Sequence, residues 1–93
     1  MRDLESLSHY YDNNENEILN DFFTFLKFES ISSIPDYKTE VNACASWLTN
    51  YLKTLNFETE LYETSGHPVI FASNLKAGKN QPTLLIYHHY DVQ

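Results

Sequence analysis

The run Leu84-Leu85-Ile86-Tyr87 constrains this chain more than any other stretch. Its apolar residues follow one another without polar alternation. A strand built from such a run has both faces to cover, so it asks for packed layers on either side of a sheet. The run leads directly into His88-His89-Tyr90-Asp91. A sheet containing it would therefore deliver imidazoles and a carboxylate to the end of one strand.

The upstream sequence reads as the scaffold for that strand. Leu4, Leu7, Tyr10 and Tyr11 are spaced for a short helical lead-in within residues 1–13. Asn13 and Asn14 offer an N-cap, with Glu15 and Glu17 in the first turn that follows. Ile18, Phe22, Phe25 and Leu26 then form one apolar helical stripe, which predicts a helix to about Phe28. The segment 29–36 is a loop, because Pro35 disfavours helix at the residue before it and the serines compete for backbone hydrogen bonds. A second helix begins near Tyr37–Thr39 and carries Val41, Cys44, Ala45, Leu48, Leu52 and Leu55 on one face. Asn56 can adopt the left-handed conformation that ends it, and Phe57 can fold back on the last turn.

From Phe57 the apolar period becomes two, which predicts a half-exposed strand through Tyr62. A turn over 64–68 leads to a second strand over Val69–Leu75, antiparallel to the first. A polar loop over 76–82 leads to a third strand, Thr83 to about His89. The expected fold class is α/β, with two N-terminal helices followed by three strands of a mixed sheet.

Composition narrows the function. Apolar residues make up 42% of the chain and aromatics 15%, enough to build a core. The net charge is -7 and the six Lys and Arg residues are scattered, which argues against nucleic acid and against an anionic membrane surface. The opening residues are polar and acidic, unlike a secretory signal, and no apolar stretch approaches the ~20 residues of a membrane span. Cys44 is the only cysteine and reads as a buried helix residue. The expected setting is cytoplasmic.

Side chains alternate along a strand, so His89 and Asp91 would share one face and His88 and Tyr90 the other. A neutral imidazole is a good metal ligand, and a carboxylate two residues on can bind metal or accept the other ring N–H and fix the tautomer. By spacing alone His-x-Asp is a weak pattern that also arises by chance. His9 and His67 read as solvated, His67 because it lies between Gly66 and Pro68 in a turn. Glu58, Glu60 and Glu63 read as solvated charges on or beside the first strand.

The segment Pro82–Gln93 resembles the signature strand of the di-zinc aminoacylase/carboxypeptidase G family, an apolar strand followed by Gly-His-x-Asp-Val. The ending His89-Tyr90-Asp91-Val92-Gln93 looks most like the carnosinase-like dipeptidase branch. Upstream, Glu29–Ser33 resembles the serine-containing loop after the family's first helix. Val41–Phe57 resembles its second helix, and Gly66–Ala72 the strand before the signature. The resemblance implies that residues 1–93 are the start of a zinc-peptidase catalytic domain, an incomplete one. It implies His89 as a zinc ligand and Asp91 as the catalytic-site carboxylate that orients it. It also implies two Zn²⁺ ions per complete domain, and dipeptides or related short amides as substrates, cleaved by metal-activated water. A homodimer through a lid domain absent from this chain is implied as well. His88 departs from the pattern, because the family has Gly there.

The family's bridging aspartate, Glu-Glu pair, further acidic ligand and distal histidine have no counterpart among these residues. The 93-residue chain is therefore expected to be inactive alone. The alternatives are a non-catalytic small α/β protein acting through binding, and one half of a split enzyme. The terminal strand is also expected to make the isolated chain self-associate.

Overall fold

A computed structural model describes the chain from Asp3 to Gln93. Its elements run in the order α1 (Leu4–Leu26), a single 3-10 turn (Pro35–Tyr37), α2 (Lys38–Thr54), β1 (Glu58–Tyr62) and β2 (Val69–Ser73). The two helices followed by two antiparallel strands give a mixed α/β fold.

The first helix is longer than the sequence pattern predicts. The lead-in and the Ile18–Leu26 stripe form one helix, and Met1 and Arg2 of that lead-in lie outside the described residues. The cap is Asp3, whose Oδ1 accepts from the Ser6 amide at 2.8 Å. Asn13 and Asn14 sit mid-helix, and Asn14 Nδ2 donates back to the Tyr10 carbonyl at 2.8 Å. No Gly or Pro lies between Asp3 and Leu26 to break the backbone ladder, so an internal capping residue is not sufficient to end it. None of the described α1 side chains is fully buried. The helix and the residues just after it meet α2 through aromatic rings: Phe25 of α1 and Phe28 beyond its end lie 6.2 and 5.9 Å from Trp47, which stacks on Tyr51 at 5.1 Å.

The core lies on α2. Val41, Cys44 and Ala45 are fully buried, and Thr49 satisfies its buried hydroxyl on the Ala45 carbonyl at 2.8 Å. These residues repeat at helical spacing, as the apolar stripe predicts. Further along that stripe Leu48 and Leu52 are half-buried and Leu55 is exposed. The helix closes as its sequence foretells. Asn56 takes φ 68°, its amide donates to the Lys53 carbonyl at 3.0 Å, and the Phe57 amide reaches the Leu52 carbonyl at 3.1 Å. That pair of bonds is a Schellman closure, which satisfies carbonyls the helix itself leaves open.

β1 and β2 pair antiparallel, with Glu58 opposite Ser73 and Tyr62 opposite Val69. This is the predicted hairpin, with β2 ending at Ser73 rather than Leu75. Among the described residues the expected third strand does not form. Residues 83–90 form no ladder, and Leu84, Leu85, Ile86 and Tyr87 are 83, 87, 70 and 92% exposed. A strand exists only by hydrogen bonding to a neighbour, and none of the described elements lies alongside this run. The chain is tied back to the body near its end, where Val92 forms an isolated parallel bridge with Ile31.

The outcome is a loosely closed molecule. Its accessible surface is 7994 Å², against ~5600 Å² for a compact monomer of this mass. Its radius of gyration is 15.6 Å, against ~12 Å for a compact domain of this length. Among the described residues, no helix is long and apolar enough to cross a membrane.

Candidate functional site

Three segments distant in sequence meet around Asp91. They are the loop 30–32 after α1, the turn 67–68 before β2, and the tail 89–92. The loop and tail are joined through their backbones. The Val92 amide donates to the Ser30 carbonyl at 2.8 Å, and the Ser32 amide donates to the Val92 carbonyl at 3.1 Å. Ser30 is buried, and its hydroxyl donates to the Tyr90 carbonyl at 3.2 Å. The turn is tied in from the other side, where the Tyr90 hydroxyl donates to the Pro68 carbonyl at 2.6 Å. Burial of Tyr90 pushes its phenol above the ordinary range, so it stays a donor.

With the backbone on either side of it held, Asp91 presents its carboxylate to two partners. The Ser32 hydroxyl donates to Oδ2. The His89 ring places Nδ1 2.9 Å from Oδ1 and 3.2 Å from the Asp91 carbonyl. Both of these groups only accept, so Nδ1 carries a proton, and in the neutral ring Nε2 is the nitrogen that keeps its lone pair. The Ser32 hydroxyl holds the Asp91 carboxyl below its ordinary value; partial burial opposes that shift and the His89 contact adds to it. The carboxylate is therefore the stable form at neutral pH, which keeps it available as an acceptor. The His89 side chain is 78% exposed, so its Nε2 can reach a ligand.

His89 and Asp91 thus meet as their spacing predicts, but by a different route. They sit in an extended tail held by loop 30–32, not on a paired strand. His88 is exposed beside them.

His67 corrects its sequence reading. It is half-buried rather than solvated, and its Nε2–H donates to the Ser32 carbonyl at 2.9 Å. Its Nδ1 is buried and has no hydrogen-bond partner among the described residues. Ser30, Ser32, His67 and Tyr90 join the site only in the fold. The alternation of Ser30 and Ser32 around Ile31 was the signal for the two serines, and it matches the period of an extended segment that pairs with another. Nothing local to His67 marks it, because its partner is 35 residues away.

Among the described residues, no group of three or more His, Cys, Asp or Glu side chains gathers to hold a metal ion. The arrangement offers one imidazole nitrogen with its orienting carboxylate, which fits one coordination position; a catalytic zinc site needs about three protein ligands. Glu58, Glu60 and Glu63 are exposed and add no ligand, and Glu60 accepts from the Tyr62 hydroxyl. His9 is exposed on α1. Cys44 lies in the core, and burial pushes its thiol above the ordinary value.

A concavity of about 250 Å³ lies between α1 and α2, lined by Ile18, Asp21, Phe22, Phe25, Trp47, Leu48 and Tyr51. It shares no residue with the Asp91 site. Comparison of the chain with models of known families, with curated proteins and with solved structures finds no match.

Proposed function

We propose that this chain contributes a metal ligand and its orienting carboxylate to a zinc-dependent, dipeptidase-like hydrolase that cleaves dipeptides or related short amides. One observation carries the reading: His89 is tied to Asp91 through Nδ1 and keeps Nε2 free on an exposed ring. That is the geometry of an imidazole prepared for a metal, because a fixed Nδ1–H makes Nε2 the more basic donor.

In this reading His89 holds one coordination position through Nε2, and Asp91 acts on it by accepting the Nδ1 proton. A bound zinc would supply polarisation of the amide carbonyl and activation of water. The remaining ligands and the general base have to come from residues other than these 93, as further sequence of the same reading frame or as a second chain. In that setting Leu84–Tyr87 would become the third strand of the larger sheet, pairing with a neighbour this chain lacks.

The test is expression of this sequence together with whatever the genome encodes next to it. Zinc-dependent dipeptide hydrolysis that disappears in His89→Ala supports the reading. The same is true of absent turnover by residues 1–93 alone. Efficient hydrolysis by residues 1–93 that persists in His89→Ala would sink it.

The exposure of Leu84–Tyr87 also favours a second, non-catalytic reading, in which this segment adds to the open sheet edge of a partner protein. Zinc binding at His89 separates the two, since a strand-exchange role has no use for it.

A further inference from the structure

We propose that Ser32 is a positioning residue for His89, and that it selects which ring nitrogen His89 offers. The inference rests on the metal-ligand reading of His89 and extends it to residues that reading does not use.

The argument begins with exposure. A ring that is 78% exposed is not oriented by packing. Its tautomer and direction are set by the hydrogen bond on its other nitrogen, and for His89 that bond is to Asp91 Oδ1. A carboxylate can rotate, and either oxygen can serve, so Asp91 orients His89 only as well as Asp91 is itself fixed. The Ser32 hydroxyl fixes it by occupying Oδ2.

Ser32 is in turn held along its own backbone. Its amide is bonded to the Val92 carbonyl at 3.1 Å and its carbonyl takes the His67 Nε2–H at 2.9 Å. The hydroxyl therefore projects from a peptide fixed at both ends. This gives His67 a role: it ties the turn before β2 to the loop that aims Asp91. The order of dependence is His67, Ser32, Asp91, His89, and only the last faces solvent with a free nitrogen.

The experiment follows the ring nitrogens of ¹⁵N-histidine-labelled chain by long-range ¹H–¹⁵N correlation, first alone and then titrated with zinc chloride. The unmodified chain is expected to show His89 in a single Nδ1–H tautomer, with zinc perturbing Nε2. In Ser32→Ala the His89 ring is expected to mix tautomers and to bind zinc about 10-fold more weakly, the low end of the loss seen when a ligand's outer partner is removed. Ser32→Thr keeps the hydroxyl and is expected to restore both. The backbone bonds of Ser32 do not need its side chain, so the Val92 amide resonance should stay in place in Ser32→Ala and report an intact loop.

A Ser32→Ala chain whose His89 tautomer matches the unmodified chain overturns the proposal. So does a Ser32→Thr chain that behaves like the alanine variant with the loop intact. The tautomer measurement needs no metal, so it judges Ser32 by itself. Failure of the underlying reading appears elsewhere, as zinc binding that is unchanged in His89→Ala.

Discussion

The Ser32 hydroxyl donates to Asp91 Oδ2 across 59 residues of sequence, joining the loop after the first helix to the far end of the chain. With the backbone bonds of Ser30 and Ser32 to Val92 on either side, it turns an exposed tail into a defined site.

The first prediction concerns acid. The Asp91 carboxyl is held below its ordinary value of 3.8, first by the Ser32 hydroxyl. A carboxylate with a depressed folded value stabilises the native state above its unfolded value, and that contribution is lost as pH falls through the folded one. The contribution of Asp91 to docking the tail should therefore be complete at neutral pH and down to about pH 4, and weaken in stronger acid, while the backbone bonds to Ser30 and Ser32 remain. Carboxyl ¹³C shifts of Asp91 measure this. Ser32→Ala should move the Asp91 midpoint upward, and an unmoved midpoint would contradict the assigned cause.

His67 is predicted to be structural for the loop. Replacing it with alanine removes the bond to the Ser32 carbonyl, worth about 1 kcal/mol net. Hydrogen exchange at the Ser32 and Val92 amides should accelerate by roughly 5-fold, while the Asn56 and Phe57 amides that close α2 should be unaffected. Uniform acceleration across the chain would instead mean global destabilisation.

Stability should be concentrated on α2. Val41 is fully buried, and Val41→Ala should cost about 2 kcal/mol through lost transfer energy and the cavity left behind. Leu4→Ala, at a site that is exposed on α1, should lie within about 0.5 kcal/mol of the unmodified chain. Urea unfolding of the two variants makes the comparison, and equal losses would place the core elsewhere.

Exposed Leu84–Tyr87 should make the isolated chain associate as its concentration rises, through apolar contact and unpaired backbone groups. Leu85→Glu should reduce that association by adding a charge to a chain already at -7. Sedimentation velocity over a wide concentration range reads the effect. A monomer at every concentration in the unmodified chain would show that the segment is not adhesive.

The local elements were legible because their causes are local. The change of period at Phe57, the Asn56 closure and the α2 stripe from Val41 to Ala45 depend on residues within a few positions of one another, and all three appear as read. α1 runs through its internal Asn13-Asn14 because a capping residue ends a helix only when the backbone beyond it has somewhere else to go. Asn13 and Asn14 lacked that alternative.

The sequence by itself determined that His89 and Asp91 stand two residues apart, the spacing that puts two side chains on one face wherever the backbone is extended. It also determined the apolar character of Leu84–Tyr87. Whether that run is a strand depended on a neighbour, because the backbone bonds that define a strand belong to two segments. The tertiary structure decided that none of the described elements pairs with it. It also decided that Ser32 and His67, remote in sequence, stand behind Asp91, because such contacts arise from how loop 30–32, turn 67–68 and the tail converge and leave no periodic trace in any one of them.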